Sequence, residues 1–510
     1  MTVARTWAVA LTGAEGSLVE VEADQSNQLP GLRIIGLPDK SLGEAEQRVR
    51  GAAANSSLTL PRRRVTVNLS PASLPKQGSG FDVAIAVATL ATDGYLDLAS
   101  LARTVHIGEL GLDGRLRPVA GVLPAVVAAA RAGLTHVVVP RANEAEARLV
   151  AGMTVVGAVS LGDVALWHGA DLEPSELAPV PAASVPASRP SAGDLSEVIG
   201  QHEAVDALIA AAAGGHHMLM CGPPGAGKTM LASRLPGILP DLDDEAALEV
   251  SSIRSLSGIG IDGLVREPPF ESPHHSASVA ALVGGGSRVV RPGAIARATN
   301  GVLFLDEAAE FASSALDALR QPLETGSITI HRSGVTAAFP ARFQLVMATN
   351  PCPCGNYGVP GGSCVCPPNQ VRRYLGKLSG PLLDRVDIEL GLRRVSVAQA
   401  SAVASRPPIS SAQAKEQVLA ARSRAAYRLR ETPWSINARV SGPWLRQGPL
   451  ALPAEARRPL DAALHRGALT LRGYDRVLRV AWTLCDLDGT DTPTVHDIGR
   501  ALFMKRGITA

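Results

Sequence analysis

Eight consecutive residues carry the clearest chemistry in this chain: Gly222-Pro223-Pro224-Gly225-Ala226-Gly227-Lys228-Thr229. A loop that wraps a β-phosphate must turn successive backbone N–H groups inward, and glycines at 222, 225 and 227 leave space where side chains would obstruct that approach. Lys228 supplies a mobile cation for the β- and γ-phosphates, and Thr229 a hydroxyl for magnesium. With Met230 behind it, the loop forms a predicted cradle for ATP and magnesium. Gly301-Val-Leu-Phe-Leu-Asp306-Glu307 supplies the hydrolytic counterpart, a short apolar strand with two carboxylates at its end. Asp306 is suited to hold magnesium through water, and Glu307 to orient or deprotonate the attacking water. Acids in the first turn of a helix would look the same, but the preceding phosphate loop favours the hydrolytic reading.

A third strand, Phe343 to Asn350, ends in an amide that can sense the γ-phosphate or position the water; a capping role is the alternative. Beyond it, Pro381-Leu-Leu-Asp-Arg385-Val-Asp carries a guanidinium poorly placed for its own nucleotide. Delivered to a neighbour's γ-phosphate, Arg385 would act as an arginine finger in trans, which requires a ring. The bland reading pairs it with Asp384 or Asp387.

These groups need elements to position them. Gln201 to Ala213 has helical periodicity and ends at Gly214-Gly215, and the apolar run His217 to Cys221 leads into the loop. Alternating Arg64 to Leu69 and the run His136 to Pro140 predict strands, and Val119 to Ala132 predicts a helix, giving an α/β region over residues 1–170. Residues 171–192 are rich in Pro, Ala and Ser, with prolines at 174, 179, 181, 186 and 190, and predict an extended linker. The ATPase core is expected over 193–390 and a helical region over 391–510. Within the core, Thr325 to Thr336 has the alternation and turn of a β-hairpin.

The 510 residues suffice for about three domains. Net charge is only +2, yet residues 1–190, 191–390 and 391–510 sum to −2, −6 and +10. The cationic final third implies an anionic partner or an acidic surface of the protein itself. No apolar stretch has membrane length, and six cysteines are too few for a disulfide scaffold, so a cytoplasmic protein with no membrane partner is expected. Four of them, Cys352, Cys354, Cys364 and Cys366, form two close pairs joined by a glycine-rich loop. Four thiolates suit structural zinc, although one-residue spacing within each pair is less usual; a redox-sensitive or purely structural thiol cluster is the alternative.

GPPGAGKT, GVLFLDE, VMATNPCPCG, RRYLGKLSGPLLDRVDIEL and ESPHHSASVAALVGGG (271–286) together resemble the bacterial ComM/YifB family, often named magnesium-chelatase-like AAA+ ATPases. The likeness covers essentially the whole chain. It implies an α/β fold in three parts: an N-terminal ribosomal-protein-S5-like domain shared with Lon proteases, a central AAA+ P-loop αβα domain, and a C-terminal helical lid. Lon uses a Ser-Lys pair; here Ser79 lacks the surrounding motif and Leu123 stands at the counterpart of the lysine, so no protease is expected. The hairpin would face a central pore, making His331 and Arg332 candidate DNA contacts. His274 and His275 would meet DNA or a neighbouring subunit. Arg472 would be the sensor-two arginine of the lid, with Arg476 the runner-up.

The resemblance thus implies a homohexameric, ATP-driven motor on branched, displaced-strand or single-stranded DNA, working with recombination proteins in branch migration and integration of incoming DNA. The alternatives are a chelatase-type ATPase that remodels a protein or inserts magnesium into a tetrapyrrole, and a nucleotide-dependent structural ring without helicase activity.

Overall fold

A computed structural model describes residues 3–36, 40–76, 78–174, 176–182, 184, 193–286, 290–332, 335–359, 362–395 and 407–505. Much of the expected linker, namely Ser175, Ala183 and 185–192, lies outside the described residues, as does the side chain of Arg332.

Two sheets organise the chain. The first is mixed and seven-stranded, in the order Gly31–Ile35, Arg64–Ser70, Glu15–Ser26, Ala4–Thr12, Thr104–His106, His136–Pro140, Thr154–Ala158. Alternation decides its faces: Val65, Val67 and Leu69 are buried while the residues between them are partly exposed. The helix Asp82–Ala91, buried along its entire length, fills the core on one face, and Val122–Arg131 covers the other side of the long hairpin formed by the first two strands. That second helix is shorter than the periodicity predicts because Gly121, at φ +84°, fixes its start.

The second sheet is five-stranded and wholly parallel, ordered Phe270–Glu271, Val302–Leu305, Gln344–Thr349, Met218–Cys221, Ile388–Gly391. Its three central strands are buried at every position, which is why they read as continuous apolar runs. The helix His202–Gly214 stops at Gly215, whose φ of +73° ends it and returns the chain to the sheet. The fifth strand runs to Gly391, one residue past the expected boundary.

Ser327–Arg332 and Val335–Pro340 pair antiparallel as a separate hairpin, from Ser327 opposite Pro340 to Arg332 opposite Val335. The first sheet reaches this hairpin: the Ala14 N–H donates to the Ala338 carbonyl at 3.0 Å. A second contact joins the Gly121 N–H to the Ser255 carbonyl at 3.0 Å, with Ser255 Oγ donating to buried Glu146 at 2.5 Å.

The C-terminal region is helical. Ser411–Leu429 starts in a capping box of Ser410 and Gln413; Leu471–Asp488 starts at a Thr470 cap; Val495–Met504 starts in a box of Thr494 and Asp497. Arg428 binds both carboxylate oxygens of buried Asp486 and stacks 4.5 Å over Trp482, tying the first two helices together. This helical layer shares one hydrophobic core with the His202–Gly214 face of the parallel sheet.

Candidate nucleotide site

The phosphate loop leaves the carboxyl end of Met218–Cys221 and enters the helix Lys228–Ile238. Gly225 and Gly227 adopt φ of +78° and +86°, which residues with a Cβ rarely hold. The Gly222 N–H donates to the Thr349 carbonyl at 3.1 Å. Outside partners grip the loop: Gln201 Nε2 donates to the Ala226 carbonyl at 3.3 Å, and Arg394 Nε to the Pro224 carbonyl at 3.1 Å. Nothing in the spacing of Gln201 or Arg394 signalled this, since both contacts depend on how distant segments pack.

Lys228 is buried, and its ammonium donates to the Gly222 carbonyl at 2.6 Å, the Pro223 carbonyl at 3.1 Å and Asn350 Oδ1 at 3.0 Å. Burial lowers its pKa from the ordinary lysine value. Asn350, 122 positions away in sequence, is thus brought to the loop by the parallel pairing of Gln344–Thr349 with Met218–Cys221. Thr229 Oγ1 donates to Asp306 Oδ2 at 2.7 Å, so hydroxyl and carboxylate converge on one point, a donor set that fits magnesium. Asp306 Oδ1 also accepts the Glu307 N–H at 2.9 Å.

Glu307 has φ +52° and ψ +45°, a left-handed backbone costing about 1 kcal/mol. The turn lifts its half-exposed carboxylate clear of the strand, where Oε2 lies 3.1 Å from His275 Nδ1. The His275 ring lies against that of His274, tilted by 34° with centroids 4.1 Å apart. Within its own chain, His275 thus meets Glu307.

Arg385 precedes the strand Ile388–Gly391, at the amino edge of the sheet, whereas Lys228, Asp306 and Asn350 lie at the carboxyl edge. Its guanidinium binds Glu324 and the Pro381 carbonyl, not Asp384 or Asp387. Burial and then Arg472, Arg476 and Arg320 hold its pKa below the usual arginine value. Arg472 is exposed, 3.9 Å from Asp384, and Arg476 donates to the Asp384 carbonyl at 2.7 Å and to Asp387 Oδ1 at 2.6 Å. Both sensor-two candidates therefore sit beside Arg385, and neither makes contact with the phosphate loop of the same chain. A cavity of about 690 Å³ lies at this same amino edge, lined in part by Arg342, Arg422, Arg439, Arg476 and Arg479.

The remaining expected residues are scattered. His331 is exposed on the hairpin, its ring 3.2 Å from Thr336 Oγ1. Ser79 bonds Glu109, and the lysine three residues before it, Lys76, is buried and donates to the Pro71 and Leu74 carbonyls, so no Ser-Lys pair forms there. The four cysteine sulfurs lie within 4.8 Å of one another, beside the phosphate loop. Backbone N–H groups, that of Asn356 foremost, lower the Cys354 pKa to about 6. Among the described residues, no helix is long and apolar enough to cross a membrane.

Comparison with known proteins adds three family matches: "Magnesium chelatase, subunit ChlI" over residues 194–400, "Subunit ChlI of Mg-chelatase" over 21–143, and "Magnesium chelatase, subunit ChlI C-terminal" over 408–505. The chain is 47% identical to an uncharacterized protein of Mycobacterium tuberculosis, covering 99% of each chain. It is 41% identical to the competence protein ComM of Haemophilus influenzae, covering 96% of this chain and 94% of the relative. It is also 41% identical to the uncharacterized protein YifB of Escherichia coli, covering 97% and 96%.

Proposed function

Because this chain belongs to the ComM/YifB family of magnesium-chelatase-like AAA+ ATPases, we propose that its ATP hydrolysis drives a homohexameric motor that moves branched or displaced-strand DNA. The observation that carries the motor reading is the split engine: Lys228, Thr229, Asp306 and Asn350 gather at one edge of the sheet, and Arg385, Arg472 and Arg476 at the other. A trans arginine needs a copy of the chain on each side, and a closed ring provides one for every subunit.

Within each site, Lys228 would transfer its hydrogen bonds from the loop carbonyls to the β- and γ-phosphates. Thr229 and Asp306 would hold magnesium, which neutralises phosphate charge. Glu307 would accept the proton of the attacking water, and Asn350 would report the γ-phosphate to Lys228. The helical region after residue 391 would act as a lid, transmitting nucleotide state through Arg472 or Arg476, and the first 170 residues as an S5-like scaffold.

For DNA as the substrate, support comes from the +10 charge of residues 391–510, exposed His331 on the hairpin, and the designation of the Haemophilus influenzae relative as a competence protein. The test measures ATP hydrolysis together with three- and four-strand junction movement over a salt series, with Arg332→Ala alongside. DNA-stimulated hydrolysis and junction movement, with a shallower salt slope for Arg332→Ala, is the expected outcome. Neither stimulation nor movement at any salt would refute it. The family description favours a second reading, a chelatase-type remodelling ATPase, which would instead respond to a porphyrin-binding protein partner.

A further inference from the structure

The four cysteines are joined to the nucleotide site in a way their spacing does not reveal. Their Sγ atoms stand at 3.3 Å (Cys352–Cys354), 3.8 Å (Cys352–Cys364) and 3.7 Å (Cys354–Cys364), with Cys366 inside the same 4.8 Å sphere. Four thiolates at the ~2.3 Å zinc–sulfur distance occupy the corners of a tetrahedron with edges of about 3.8 Å. All four cysteines are free thiols. The sulfurs converge on one point, so the group suits a single metal ion rather than a multi-iron cluster, and four sulfurs close its coordination.

The surrounding backbone is built for the purpose. The N–H groups of Asn356 and Val365 donate to Cys354 Sγ, and that of Cys366 to Cys364 Sγ, bonds of the kind that orient metal-ligating sulfurs. The Gly355 N–H closes a turn onto the Cys352 carbonyl at 2.9 Å, and Gly355 holds φ +80°. The one-residue spacing of the first pair is thus accommodated by a tight turn.

This knuckle touches the phosphate loop. Gly355 lies so close to Pro224 that a Cβ on it would stand 2.5 Å from Pro224 Cδ. On its other side, Cys352 follows Asn350 by two residues, and Asn350 receives the bond from Lys228. We propose that Cys352, Cys354, Cys364 and Cys366 bind one structural zinc ion, and that this zinc knuckle clamps Pro224 and Asn350 so that the phosphate loop is pre-formed for nucleotide. The clamp half rests on the reading of residues 222–229 as a nucleotide site; the metal half stands without it.

The test uses the full-length chain. Elemental analysis after dialysis is expected to give about one zinc per chain. Cobalt loading is expected to give a thiolate-to-cobalt charge-transfer band that Cys364→Ser with Cys366→Ser abolishes. Stripping zinc with a thiol reagent and chelator, then reducing the thiols, is expected to weaken binding of a fluorescent ATP analogue about tenfold, with recovery on adding zinc. Chains without metal and with four freely titrating thiols overturn the whole proposal, and iron in place of zinc overturns the metal assignment. Bound zinc whose removal leaves nucleotide affinity unchanged overturns the clamp. Bound zinc with no nucleotide affinity in either state refutes the clamp together with the nucleotide reading, while the zinc site stands.

Discussion

Mixing two inactive forms of the chain tests whether nucleotide sites are shared between copies. Lys228→Ala removes the phosphate cation but keeps Arg385, and Arg385→Ala does the reverse. In a single chain the two residues stand at opposite edges of the parallel sheet: Lys228 follows the carboxyl end of Met218–Cys221, and Arg385 precedes the amino end of Ile388–Gly391. These strands pair over four residues, so the edges are about 13 Å apart at ~3.3 Å per residue. The Arg385 guanidinium is held at its own edge by Glu324. A shared site works only where the intact loop of an Arg385→Ala chain faces the intact arginine of a Lys228→Ala chain. Random assembly from equal parts produces that pairing at about a quarter of interfaces. Each variant alone should fall about a thousandfold or more in turnover, and the mixture should recover to about a quarter of the wild-type rate. Phosphate release measured at protein concentrations that favour assembly, with two affinity tags to verify mixed rings, reads the outcome. Mixed rings that stay at the floor, or an Arg385→Ala chain that hydrolyses ATP at the normal rate, would refute the shared-site argument.

Glu307→Gln should slow ATP turnover about a hundredfold or more while nucleotide affinity, measured by fluorescence titration, stays nearly unchanged. His275→Ala removes the 3.1 Å contact to Glu307 and should lower kcat about fivefold at constant KM, as expected for one half-exposed charge-assisted bond; a change confined to DNA affinity would show that the histidine acts elsewhere. The buried pair His106 and His168, Nε2 to Nε2 at 2.8 Å, gives a pH dependence. Burial lowers His168 from 6.5 to about 4 and His106 well below 6.5, so the unfolded chain binds protons before the folded one. Their stability contribution is present above pH ~6.5 and is lost as pH falls toward ~4, at about 1.4 kcal/mol per pH unit for each histidine. Thermal unfolding followed by circular dichroism should show that slope, and His168→Gln should cut it to about half.

The chemistry-bearing segments were legible along the chain. A phosphate loop is eight contiguous residues whose glycines answer to backbone conformation, and Met218–Cys221, Val302–Leu305 and Gln344–Thr349 announce themselves as apolar runs because both faces of a parallel sheet are covered. The helical character of the final third was legible as a whole, while its caps at Ser410, Thr470 and Thr494 emerge only from the structure. Tertiary structure alone decided which of these segments meet. It set Asn350 against Lys228, His275 against Glu307, and Gly355 against Pro224. It also carried Arg385 and Arg472 to the sheet edge away from their own phosphate loop. Spacing along a chain fixes backbone conformation within a turn or a strand, where neighbours are covalently bound to be near. It says nothing about residues such as these, 32 to 131 positions apart, whose separation is set by strand order and helix packing summed over the whole core.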